Sequence, residues 1–194
     1  MESCSQSFQD FFALSVAKNN TYIEIGANQP KFNSNTYNLE ANGWKGFSLE
    51  LNRTGKIEKA WKLHSERTNT VYWENALKFN YMQGVAETGM STHVGYLSCD
   101  IEPPSNTFKA LKKVISQGIS FDCITFEHDS YQNPTEKDYN KLSTEFLISN
   151  GYKVAVTDVY VGNNQDQVYE TWFVHNSIEF EPRTYAQWKK ENNL

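Results

Sequence analysis

The chain has 194 residues, 39% hydrophobic and 14% aromatic, enough for one packed core and too apolar for a disordered segment. Its formal net charge of −5 and scattered lysines exclude a non-specific nucleic-acid binder, which needs a basic face to displace counterions. No run approaches the ~20 apolar residues of a membrane span, and residues 1–10 lack the basic start and apolar centre of a signal peptide, so a cytoplasmic protein is expected.

Ser7, with Asp10 three positions later, has capping-box spacing and predicts a first helix with Phe8, Phe11, Phe12 and Val16 on one stripe. Tyr22–Ile25 reads as a strand closed by Gly26. Ser34–Asn42 reads as a helix stopped by Gly43. Gly46–Glu50 reads as a second strand, and Thr54–Leu63 as a helix carrying Ile57, Ala60 and Trp61. Val71–Trp73 is a short third strand, and Gln83–His93, with Gly84 and Gly89, reads as a mobile loop. Tyr96–Ile101 is a fourth strand, Ser105–Gln117 a helix closed by Gly118, Phe121–Phe126 a fifth strand, and Glu136–Asn150 a helix stopped by Gly151. Tyr152–Val161 and Gln167–His175 are strand-like runs joined by five residues, too few for a crossover helix, so they must form an antiparallel hairpin.

Strands alternating with helices and then a hairpin predict an α/β fold, a Rossmann-like three-layer αβα sandwich. Its mostly parallel sheet ends in a C-terminal antiparallel pair. The expected organisation is one domain over 1–194: an N-terminal helix in 1–20, the core in 21–175 and a tail in 176–194. Among three cysteines, Cys99 and Cys123 fall in apolar runs and read as buried reduced thiols; no CxxC spacing involves Cys4.

Ligands of open α/β sheets bind beyond the carboxyl ends of the strands, near the point where strand order reverses. Every strand of the parallel set delivers an acid or amide there: Glu24 and Asn28, Glu50, Glu74 and Asn75, Asp100 and Glu102, then Glu127, His128 and Asp129. Gly26 and Glu50 are the informative pair. A glycine lets the backbone approach a nucleoside, and a carboxylate at the end of the second strand can accept from both ribose hydroxyls while repelling a phosphorylated ribose. There is no GxGxxG, and Pro30 removes a backbone donor where a pyrophosphate would need one. An adenosine cofactor without phosphates fits better, and S-adenosylmethionine is the common one.

These residues resemble the FkbM-type branch of the class I S-adenosylmethionine-dependent methyltransferases. The likeness lies in Tyr22–Asn28, Gly43–Glu50, Tyr96–Glu102 and Phe121–His128, four stretches in the right order and spacing. It implies a seven-stranded sheet ending in a hairpin. It further implies that Glu24, Gly26 and Asn28 form the loop under the methionine part of the cofactor, that Glu50 binds the ribose, that Asn75 and Ala76 lie beside the adenine, and that Asp100 faces the transfer site. Pro103 departs from the pattern, which commonly has glycine after Asp-x-Glu. The implied acceptors are hydroxyls of sugars or other small molecules.

Transfer to a hydroxyl requires a group that removes its proton, and Asp100, Glu102, Glu127 and His128 are the candidates, His128 for its near-neutral titration. The acidic edge does not reproduce a metal-site spacing, and no metal ligands are assigned. Two rival readings remain open: a metal-dependent hydrolase or nuclease using these acids, and an inactive methyltransferase-like interaction module.

Overall fold

The computed structural model describes residues 2–131, 138–162 and 164–194. In chain order the elements are α1 (Gln9–Val16), β1 (Thr21–Ile25), α2 (Tyr37–Ala41), β2 (Lys45–Leu49), α3 (Gly55–Leu63), β3 (Thr70–Tyr72), α4 (Tyr81–Glu87), β4 (His93–Cys99) and α5 (Pro104–Ser116). They continue with β5 (Ser120–Glu127), α6 (Tyr139–Ser149), β6 (Tyr152–Tyr160), β7 (Val168–His175), β8 (Arg183–Thr184) and α7 (Tyr185–Glu191). The start expected for the sixth helix, at Glu136, and Asn163 in the hairpin loop lie outside the described residues.

The strands form one sheet of order β3-β2-β1-β4-β5-β7-β6-β8. β3, β2, β1, β4 and β5 run parallel; β7 is antiparallel to both β5 and β6. The sequence implied seven strands and the structure has eight, because Arg183 and Thr184 pair with Val156 and Thr157 of β6 and cover part of its outer edge.

Side chains alternate across each strand, which divides the core by sheet face. Ile23, Phe47, Leu97, Ile124 and Phe173 pack under Tyr81 and Val85 of α4, Leu111 and Val114 of α5 and Leu147 of α6. Tyr22, Tyr96, Cys123, Trp172 and Val174 pack with Phe12 of α1, Leu39 of α2, and Tyr185 and Trp188 of α7. These are the three layers of the sandwich. Cys99 and Cys123 are buried free thiols, as their apolar runs implied.

Two local expectations are corrected. Ser7 and Asp10 form no capping box: Phe8 occupies the N-cap position without a side-chain cap. Ser7 instead donates to the Tyr160 carbonyl at 3.0 Å, and Asp10 accepts from the Ser3 and Ser5 hydroxyls, the Cys4 N–H and Asn38. The segment Gln83–His93 is also more than a loop, since α4 runs through it to Glu87. Gly84 is what brings α4 onto the sheet: a Cβ there would lie 2.9 Å from the Phe47 ring.

Candidate cofactor cleft

The strand order reverses between β1 and β4, and a cleft of about 380 Å³ opens there at the carboxyl ends of the strands. Its wall includes Gly26 and Asn28 after β1, Leu49 of β2 and Glu50 to Asn52 after it, Glu74 to Leu77 after β3, Asp100 to Glu102 after β4, and Asn106 of α5. Among the described residues, no lysine, arginine or histidine lines it. Gly26 and Glu50 thus share one cavity, on neighbouring strand ends brought level by the Ile25–Leu49 register.

Gly26 is required for a reason the sequence did not reveal. Its φ is +92°, and an added Cβ would sit 1.6 Å from the backbone oxygen of Asp100. The close approach is therefore to the end of β4, where the Asp100 N–H in turn donates to the Ile25 carbonyl at 2.9 Å. This packing draws the ends of β1 and β4 together and places Asp100 in the cleft.

Glu50 is half-buried and held by two backbone donors, with Asn28 N–H at 2.7 Å on Oε2 and Asn52 N–H at 2.6 Å on Oε1. Each oxygen retains a further acceptor site. Asn28 adopts a left-handed conformation, φ 45°, and its carbonyl accepts from Trp61 Nε1 at 2.9 Å. Asn75 accepts the Leu77 N–H on Oδ1 at 2.8 Å, and buried Ala76 adds apolar wall beside Leu49, Ile57 and Ile101.

Glu24 lies outside the cleft lining. It is buried, accepting from Thr36 Oγ1 at 2.9 Å and Ser48 Oγ at 2.6 Å, and burial raises its pKa against the opposing Arg67 charge. His128 is also outside the lining, and buried. Its Nε2 meets Thr171 Oγ1 at 3.3 Å, its Nδ1 meets Ser130 Oγ at 2.8 Å, and burial pushes its pKa down to about 4.

The acidic groups form a chain across three strands. Asp100 shares a hydrogen bond with Glu127, which sits opposite Glu170 in the β5–β7 ladder. Burial raises both Asp100 and Glu127, and the charge of Asp100 raises Glu127 further, so the pair retains one proton where isolated carboxyls would have lost theirs. Exposed Glu102 is raised by desolvation and by the charges of Asp129 and Asp100. Among the described residues, Glu102, Glu127 and Asp129 bring one carboxylate oxygen each within 4.8 Å of one another. Glu170 is fully enclosed, with Oε2 accepting from Gln9 Nε2 at 3.0 Å and Trp172 Nε1 at 2.7 Å. Sequence reasoning passed over Glu170, although a glutamate inside the apolar run Val168–His175 was the available signal.

The fold has known counterparts. The chain superposes on Sp1610 of Streptococcus pneumoniae, a candidate tRNA (m1A22) methyltransferase in complex with S-adenosyl-L-methionine, with TM-score 0.58 and 12% identity over 91% of this chain and 76% of that one. The fold is that of class I methyltransferases. SMU.1697c of Streptococcus mutans, a candidate methyltransferase in complex with SAH, gives TM-score 0.54 and 13% identity over 90% of this chain and 99% of that one. The N-methyltransferase NodS of Bradyrhizobium japonicum WM9 gives TM-score 0.52 and 8% identity over 87% and 93%. No protein-family model matches the sequence, and no curated protein matches it. Among the described residues, no helix of this fold is long and apolar enough to cross a membrane.

Proposed function

We propose that the chain is an S-adenosylmethionine-dependent methyltransferase that acts on a hydroxyl of a sugar or another small molecule, in the FkbM-type branch that its four sequence stretches resemble. One observation carries this reading: Gly26 and Glu50 line a single cleft at the switch point of a class I methyltransferase fold, and none of the described residues that line that cleft is basic. A dinucleotide would bring pyrophosphate charge against Glu50, Glu74, Asp100 and Glu102, whereas a sulfonium brings a positive charge they favour. Two of the similar structures contain this cofactor or its demethylated product.

The residues present fit such a group. Glu50, already fixed by two backbone donors, offers acceptor sites for paired ribose hydroxyls. Ala76, Leu49, Ile57 and Leu77 would provide apolar surface for an adenine, with Asn75 beside them. Gly26 and Asn28 would hold the methionine end, and buried Glu24 accepts from Thr36 of their loop. When bound, S-adenosylmethionine supplies an electrophilic methyl group on a positively charged sulfur.

Asp100 lies at the cleft and Glu102 at its rim, and these two carboxyls orient the acceptor hydroxyl and take its proton. The Asp100–Glu127 pair, with its raised affinity for protons, is a suitable destination. His128 is a poor base by comparison, since both ring nitrogens are engaged and burial disfavours its protonated form. The acidic rim also disfavours an acceptor carrying phosphates.

Titration calorimetry with S-adenosylhomocysteine tests the reading, with a Kd of micromolar order expected and clear weakening in Glu50→Ala. Methyl transfer from labelled donor to a panel of sugars then tests the acceptor class. Absence of binding to the folded wild-type protein would refute the assignment.

A further inference from the structure

Arg67 is the most enclosed cation described, and neither the sequence reading nor the proposed chemistry uses it. It follows α3, in the segment leading to β3, with its side chain 1% exposed. Its Nε donates to Glu40 Oε2 at 2.6 Å. Nη1 donates to the Pro30 carbonyl and to Ser34 Oγ at 3.2 Å, and Nη2 to Thr36 Oγ1 at 2.9 Å. The guanidinium carbon also lies 4.8 Å from the centre of the Trp61 ring.

Every one of these partners except Glu40 and Trp61 lies in the loop between β1 and α2. Trp61 joins it by donating to the Asn28 carbonyl at 2.9 Å, and the Asn28 N–H donates to Glu50 at 2.7 Å. Thr36 passes the contact on to Glu24 at 2.9 Å. Arg67 therefore grips the loop at Pro30, Ser34 and Thr36, and it stacks on the indole that fixes Asn28. A loop carrying two left-handed asparagines, Asn28 and Asn33, has little regular structure of its own to hold that shape. The planar fork of arginine meets four acceptors at once, which the single ammonium of lysine cannot do.

We propose that Arg67 is a positioning residue for the cofactor cleft, holding the loop 27–36 so that Asn28 and Glu50 stay in register at its mouth. The inference rests on the cofactor reading above for its effect on affinity, but the clamp itself does not. Two measurements separate them. Hydrogen exchange, which needs no ligand, is expected to show protection lost selectively over residues 27–36 in Arg67→Met, by about tenfold, with β4 and β5 unchanged. S-adenosylhomocysteine affinity is expected to fall by about tenfold in the same variant, measured well below its melting temperature.

Trp61→Phe covers the case in which Arg67→Met does not fold. It keeps a ring under the guanidinium and removes only the donor to Asn28, and it is expected to lose about threefold in affinity with raised exchange confined to the loop. Arg67→Lys separates clamping from simple charge balance against Glu40, and is expected to leave the loop exchanging faster than wild type. Full rescue of loop protection by lysine would overturn the proposal, as would unchanged exchange over 27–36 in the folded variants. Wild-type protein that binds no S-adenosylhomocysteine would refute the cofactor reading, while selective loop exchange would still support the clamp.

Discussion

Two carboxylates close neighbouring walls of one cleft in opposite surroundings. Glu50, after β2, accepts from two backbone N–H groups. Asp100, after β4, faces Glu127, with Glu170 beyond it across the sheet. On the β2 side the backbone has been arranged around a negative charge; on the β4 side the acids stabilise a retained proton among themselves. The first arrangement suits holding a ligand, the second suits receiving a proton. The difference comes from what each carboxylate meets, loop N–H groups around Glu50 and strand acids of β5 and β7 beside Asp100, since the residue types are nearly the same.

The largest effect is expected where the two walls join. Gly26→Ala places a Cβ against the Asp100 carbonyl in a left-handed backbone, so a loss on the order of 3–5 kcal/mol in chemical denaturation is expected, with the cleft spoiled on both sides. Wild-type stability in this variant would show that the walls are not coupled through that contact. Glu50→Ala acts on one wall alone. It frees two exposed backbone donors to water at a cost of about 1 kcal/mol, while S-adenosylhomocysteine affinity falls roughly tenfold to a hundredfold in calorimetry.

The acidic wall should reveal itself through pH. Burial holds the Glu170 carboxyl up to about 8, against the hydrogen bond from Trp172 and with the charge of Asp100 adding to the rise. Because the folded pKa exceeds the unfolded value of ~4.3, the folded state keeps a proton that the unfolded state releases. The contribution is complete below pH ~4 and is lost as pH rises through about 8. Glu170→Gln keeps an oxygen for both Gln9 and Trp172 and removes the titration. Urea melts should therefore show the wild type losing roughly 1–3 kcal/mol more than the variant between pH ~5 and ~8. Parallel curves would mean that Glu170 is not held protonated.

The smallest effect belongs to the adenine side. Asn75→Ala removes the acceptor for the Leu77 N–H and should cost about 0.5–1 kcal/mol, with only a few-fold weaker S-adenosylhomocysteine binding.

Much of the fold was legible because its signals are local and repeated. The runs Tyr22–Ile25, Phe121–Phe126 and Gln167–His175 alternate over both buried faces, and the short hairpin loop permits only antiparallel pairing. What escaped depends on distant partners. Ser7 and Asp10 have cap spacing, but stronger partners at Tyr160 and Asn38 take their side chains. α4 looked like a loop because Gly84, a poor helix former, is there to fit under Phe47. β8 is two residues long, below any periodic signal. In the cleft, strand-end positions such as Glu50 and Asp100 could be read from the apolar runs before them. The burial of Glu24 and His128, and the grip of Arg67, arise from loops whose course the sequence does not spell out.

One packing detail governs the order in which this molecule can be completed. Phe12 of α1 lies with its ring centre 4.7 Å from Trp172 of β7, and Trp172 lies 5.0 Å from Trp188 of α7. The aromatic cluster on that face therefore joins the start of the chain to two stretches near its end, around residues 172 and 188. During synthesis it stays open until residue 188 has left the ribosome, whereas the β1–β4 centre of the sheet can be assembled well before. A polypeptide cut before Tyr185 would leave a tryptophan and a phenylalanine facing water, a strong mark for chaperone capture or proteolysis.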